Sequence, residues 1–115
     1  MDSVVFDKSK RFAVRIVHLY RFLRDNKRES VMSRQVLRSG TSIGANIAEA
    51  EYGCSRRDFT SKLYIALKEC AETLYWLELL YNSDYLDAKQ YMSLREDCEE
   101  IRKMLSSATK TLGEE

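Results

Sequence analysis

The chain has 115 residues, 44% hydrophobic and 32% charged, with 19 Lys or Arg against 18 Asp or Glu. This length suits one domain spanning 1–115 with its own core, and the composition excludes a disordered tail. No apolar run approaches the roughly 20 residues that a bilayer span needs, and no cationic leader precedes a long apolar stretch, so a cytoplasmic protein without membrane contact is expected.

Proline is absent and glycine occurs four times, which leaves little to interrupt long helices. The three cysteines, Cys54, Cys70 and Cys98, form no CxxC pair and are odd in number, so small core or turn positions suit them better than a disulfide framework or zinc site. Residues 1–28 carry eight Lys or Arg against three Asp (8 − 3 = +5), whereas residues 84–115 carry five against eight (5 − 8 = −3). One side of the folded molecule is therefore expected to be basic.

Four amphipathic segments follow in order, approximately 7–26, 31–52, 56–82 and 88–112. The first has Asp7 as its expected N-cap and Phe12, Ile16, Leu19 and Leu23 on one face. The second carries Val36, Gly40, Ile43, Ile47 and Ala50, with Gly53 expected in the left-handed conformation that closes a helix. The third opens on Ser55 with Asp58 three residues later, Cys54 stapling against Phe59, and continues through Leu63, Ala66, Cys70, Leu74, Leu77 and Tyr81 until Asn82 to Asp84 close it. The fourth opens on Asp87 with Gln90 as reciprocal partner and places Tyr91, Leu94, Cys98, Ile101, Leu105, Ala108 and Leu112 at alternating spacings of three and four. Short connections and this heptad pattern predict an all-α fold, an antiparallel up-and-down four-helix bundle with left-handed packing.

Within the second segment, Gly40, Gly44 and Ala48 allow close backbone approach; helix-interior glycine costs about 1 kcal/mol against alanine, so a compensating contact is implied. Beside them runs a polar stripe of Gln35, Arg38, Ser42, Asn46 and Glu49 that borders the apolar face. Glu69 and Glu72 fall between apolar positions of the third segment, where a carboxylate needs a partner, and Arg38 is the leading candidate for a polar clasp. A ligand or partner site is the other reading of this stripe. A single histidine argues against metal binding, and no cofactor motif is present.

Charge alone points to a phosphate-backbone surface on Lys8, Arg11, Arg15, Arg21, Arg24, Lys27 and Arg28, with Arg34, Arg56 and Arg57 nearby; a merely solvated outer face is the alternative. Between Phe59 and Tyr81, 15 of 23 residues are apolar, more than one buried face requires, so Tyr64, Ile65, Tyr75, Trp76 and Leu79 are expected to form a subunit interface or to lie under a neighbouring helix. Arg11 and His18 share a helix face at a spacing that resembles the Arg-x-His motif of HEPN ribonucleases, although that motif usually has a polar residue where Phe12 stands.

The stretch SRQVLRSGTSIGANIAEA followed by SRRDFTSKLYIALKECAETLYWLELL resembles the four-helix bundle proteins named for intervening sequences in bacterial 23S rRNA genes. The motif residues are Arg38-Ser39, Ser42-Ile43, Asn46-Ile47 and Glu49, then Ser55, Asp58-Phe59, Lys62, Ala66, Glu69, Glu72 and Tyr75-Trp76. The resemblance implies an up-and-down bundle assembled into a homo-oligomeric ring, typically a pentamer. It also implies kinship with the accessory protein of diversity-generating retroelements, whose partners are nucleic acid and a reverse transcriptase. It brings no catalytic residues. The expected function is a non-enzymatic oligomeric bundle that binds RNA or DNA nonspecifically as an accessory of a ribonucleoprotein or reverse transcriptase; the alternatives are a protein-interaction scaffold and a HEPN-like ribonuclease.

Overall fold

The computed structural model describes residues 3–113. Four helices, α1 (Ser3–Asn26), α2 (Met32–Ala50), α3 (Arg56–Asn82) and α4 (Ala88–Gly113), run up and down in chain order. Each packs on its chain neighbours, α1 also meets α4, and the diagonal pairs do not approach. The α1–α4 seam is the loosest of the four. The molecule measures 46 × 21 × 20 Å, as expected for side-by-side helices of up to 27 residues at about 1.5 Å per residue.

The core follows the anticipated stripes: Phe12, Ile16 and Leu23 of α1, Val36, Ile43 and Ile47 of α2, Leu63, Cys70 and Leu77 of α3, and Cys98, Ile101 and Leu105 of α4 are almost wholly buried. On α3 the buried face is rotated from the expected line. Thr73 and Leu80 are inside, whereas Phe59, Leu74 and Tyr81 sit at its edge, Tyr81 stacked on Tyr91 with ring centroids 4.5 Å apart. The Thr73 hydroxyl donates to the Glu69 carbonyl at 2.7 Å and lies 2.9 Å from the Ser39 hydroxyl, joining α2 to α3 inside the core. Between α3 and α4, the Cys98 thiol donates to the Cys70 carbonyl at 3.6 Å; its interaction with Cys70 and its burial both push its pKa well up.

Gly40 and Gly44 let α1 approach α2. A Cβ on Gly40 would lie 2.8 Å from Cγ1 and 2.9 Å from Cγ2 of Ile16, and one on Gly44 would lie 3.1 Å from Oγ of Ser9. The compensating contact implied by glycine inside a helix is thus the neighbouring helix itself.

Several helix ends differ from expectation. Asp7 caps nothing: it is exposed inside α1, which starts at Ser3 because Val5, one heptad before Phe12, extends the buried stripe. The start of α2 depends on Glu29. This buried carboxylate accepts from the backbone N–H groups of Val31 and Met32, each at 3.1 Å, and of Ser33 at 2.8 Å, while the Ser33 hydroxyl donates to its carbonyl at 3.0 Å. A carboxylate among the orphan donors at a helix start is favoured by hydrogen bonding and by the dipole.

α2 stops at Ala50, before Tyr52, and no glycine has positive φ, so Gly53 is not the left-handed closing residue. It is needed for space: a Cβ there would lie 3.1 Å from the Phe59 nitrogen and 3.2 Å from the Ala50 carbonyl oxygen. Ser55 caps α3 by accepting from the Asp58 N–H at 3.1 Å, with Cys54 exposed beside it. α3 ends in a Schellman arrangement, Tyr85 N–H to Leu80 carbonyl at 2.9 Å and Asp84 N–H to Tyr81 carbonyl at 3.1 Å, with Asp84 at φ 68°. Asp87 and Gln90 form the anticipated reciprocal cap of α4, at 2.7 and 2.9 Å.

Candidate nucleic-acid interface and assembly surface

The antiparallel hairpins divide the ten candidate cations. Arg21, Arg24, Lys27 and Arg28 at the end of α1 meet Arg34 at the start of α2, forming one corner of the bundle. Lys8 and Arg11 near the start of α1, with Arg56 and Arg57 at the start of α3, lie at the other end of a 46 Å molecule, and Arg15 stands between. The expected single basic side is therefore divided between the two ends of the molecule, and at the second end Lys8 and Arg11 stand on a different helix from Arg56 and Arg57, diagonal to it.

The electrostatic states of the two ends differ too. α4 brings its acids against the first half of α1: Lys8 Nζ is 2.6 Å from Glu100, and Arg15 reaches Asp97 at 2.7 Å and the Ser93 hydroxyl at 2.9 Å. The opposite charges of the two chain ends thus partly neutralise each other along the α1–α4 seam. At the corner, Arg24 pairs with adjacent Asp25 at 2.7 Å and lies over Tyr20, 5.3 Å from the ring centroid. Hydrogen bonding between the two raises the guanidinium pKa and lowers that of the carboxyl. The Lys27 ammonium lies 5.8 Å from the Phe22 ring. Among the described residues Arg21, Arg28 and Arg34 make no ion pair, and all three are exposed.

The polar clasp is found at the surface of the α2–α3 seam. Arg38 bonds to Glu72 and reaches Glu69 at 3.5 Å, and the Trp76 indole donates to Glu72 at 3.0 Å. The Arg38 side chain is 50% exposed and that of Glu72 36%, so the clasp is half open to water. The rest of the stripe is not one network. Ser42 donates to the Arg38 carbonyl and Asn46 to the Ser42 carbonyl, both within α2; Glu49 crosses to Lys62 on α3 at 3.2 Å; Gln35 is exposed. The deeper α2–α3 tie, Ser39 with Thr73, has no signal in the sequence beyond two hydroxyls near the core stripes.

On the outer face of α3, Tyr64, Ile65 and Tyr75 remain exposed, Tyr75 by 59%. Leu79 is half-buried, and Trp76 is half-buried with its ring packed against the core. Trp76 therefore belongs partly to the bundle itself. Arg11 and His18 are exposed but line different cavities of the α1–α4 seam, about 430 and 240 Å³ in volume, and Phe12 between them is buried in the core. A mostly apolar cavity of about 690 Å³ at one end, lined by Val5, Phe59, Leu63, Met104, Ala108 and Leu112 with Lys103, Ser107 and Thr111, was not anticipated; it lies between α1, α3 and α4. No helix among the described residues is long and apolar enough to cross a membrane.

No curated protein matches this chain. A crystal structure of a protein of unknown function, from the S23 ribosomal protein family of Bacteroides thetaiotaomicron VPI-5482, is 60% identical and superposes with a TM-score of 0.93 over 95% of this chain and 97% of that one. The family model described as 23S rRNA-intervening sequence protein matches residues 1–107. With the bundle and its α2–α3 motif residues in place, the chain belongs to the 23S rRNA-intervening sequence protein family.

Proposed function

We propose that this protein is a non-enzymatic, homo-oligomeric helical module that binds RNA or DNA without sequence preference, as an accessory of a ribonucleoprotein or reverse transcriptase. The observation that carries this reading is the α1–α2 corner. Residues 21–34 carry five cations, Arg21, Arg24, Lys27, Arg28 and Arg34, against Asp25 and Glu29, a balance of 5 − 2 = +3; Arg24 is paired with Asp25 and Glu29 is occupied in capping α2, which leaves Arg21, Arg28 and Arg34 without an ion pair among the described residues. Cations without intramolecular partners are the ones that release counterions on meeting phosphates.

Binding of unrelated RNA and DNA duplexes, measured across a salt series, tests the reading. Arg21→Glu with Arg34→Glu should weaken every complex alike and flatten the log–log salt slope by about 1.8, two contacts at about 0.9 each. Equal binding by parent and variant would remove the corner from the site.

The homo-oligomeric part, with a ring as the favoured form, is supported by the exposed tyrosines and isoleucine on α3, residue types that subunit interfaces favour. Sedimentation at micromolar concentration tests it. A parent protein that remains monomeric would refute assembly and leave the nucleic-acid reading standing.

A further inference from the structure

The loosest seam of the bundle is bridged by two ion pairs, Lys8 with Glu100 and Arg15 with Asp97. A cleft of about 430 Å³ between α1 and α4 has Phe12 and Ile101 in its lining, with Lys8, Arg11 and Arg15 on one wall and Asp97 and Glu100 on the other. The cations occupy successive turns, at intervals of about 4.5 to 6 Å along the axis. Arg11 has no ion pair among the described residues, whereas Lys8 and Arg15 are held by Glu100 and Asp97.

We infer that this cleft is a second phosphate-backbone site, covered in the free protein by the chain's own carboxylates, which occupy the positions on Lys8 and Arg15 that RNA phosphates would take. Guanidinium and ammonium groups bind carboxylate and phosphate oxygens with the same charge-assisted geometry, so one anion can replace the other. The cover is displaceable because it is wet: the Asp97 side chain is 46% exposed and that of Glu100 52%. Ion pairs this exposed are weak and screened by salt, whereas a polyanion meets all three cations at once. α4 thereby limits how much of the basic surface of α1 a nucleic acid can use. The inference rests on the reading of the protein as a polyanion binder and adds a regulated site to it.

The test compares poly(U) RNA binding by the full chain and by Asp97→Asn with Glu100→Gln, over about 50 to 200 mM salt. Recruiting two or three contacts at about 0.7 each should steepen the log–log slope by about 1.4 to 2 and tighten binding roughly tenfold at the low-salt end. Glu78→Gln with Glu96→Gln makes the same net-charge change at exposed carboxylates outside the cleft, and it should give less than a third of that gain. Adding Lys8→Gln and Arg15→Gln to the cleft variant should return binding to the parent level, and helical circular dichroism should be the same throughout. If the cleft variant unfolds, Glu100→Gln alone, which frees Lys8, must give a smaller gain of the same sign. Equal gains from both charge-matched variants, or no gain from the cleft variant, would overturn the inference. A parent protein that does not bind while the cleft variant does would instead refute the corner reading and uphold the covered cleft.

Discussion

Gly40→Ala sets two known effects against each other at one residue. In an exposed helix the change would stabilise by about 1 kcal/mol, because glycine is the poorer helix former. Here the new methyl would stand 2.8 and 2.9 Å from the two γ carbons of Ile16, and 3.3 Å from its Cβ. Ile16 is fully buried, and a β-branched side chain in a helix is confined to essentially one rotamer, so it has little freedom to turn away. Relief must come from α1 and α2 moving apart, a form of overpacking that costs about 1 to 3 kcal/mol. The net expectation is a loss of about 1 kcal/mol, or roughly 4 °C or a little more in Tm for a chain of this size.

Gly44→Ala is the internal comparison. Its Cβ would meet one tight neighbour, the Ser9 hydroxyl at 3.1 Å, with the next atoms at 3.6 Å, so propensity should dominate and stability should hold or rise. Thermal and urea unfolding at one fixed protein concentration would measure both, because self-association makes Tm depend on concentration. The steric cause is isolated by a double-mutant cycle. Ile16→Ala removes the obstructing carbons, so its combination with Gly40→Ala should be about 1 to 3 kcal/mol less destabilised than the two single effects summed. A Gly40→Ala protein that melts higher than the parent, or a cycle without coupling, would refute the close-approach argument.

Other outcomes follow from the same structure. Glu29→Ala removes three charge-assisted backbone bonds from the start of α2 and should cost about 2 kcal/mol by chemical denaturation; a change below about 0.5 would mean that water replaces the cap. Arg38→Met should cost about 1 kcal/mol or less, below the 3 to 5 kcal/mol of a buried pair, because water reaches both partners; a loss near the larger figure would show that the clasp closes over in solution. Tyr75→Glu with Ile65→Glu should shift sedimentation toward folded monomer, and unchanged sedimentation would remove the α3 face from the interface. Trp76 serves that test poorly, because its ring packs on the core and its indole holds Glu72. In a thiol-reagent assay on native protein, Cys54 should react promptly, while Cys70 and Cys98 wait for unfolding; fast modification of all three would contradict their burial.

What the sequence alone determined is what short-range periodicity encodes. Apolar spacing of three and four located four helices and most of their buried apolar positions, and Ser55, Asp87 and Gln90 marked two helix starts because caps are local bonds between residues three apart. The family motif followed from the same residues. Tertiary structure decided whatever depends on residues distant in the chain. Nothing local says that Thr73 meets Ser39, 34 residues away, whereas the Glu29 cap and the crowding at Gly53 involve near neighbours in the chain and are local contacts that apolar spacing does not encode. The basic surface shows this most clearly. Counting Lys and Arg along residues 1–28 predicted one charged side, but an antiparallel bundle sends the two ends of α1 to opposite ends of the molecule and lays the acids of α4 beside Lys8 and Arg15. Charge is summed along the sequence, whereas electrostatic potential is summed over space, so the reach of each cation depended on which helix became its neighbour.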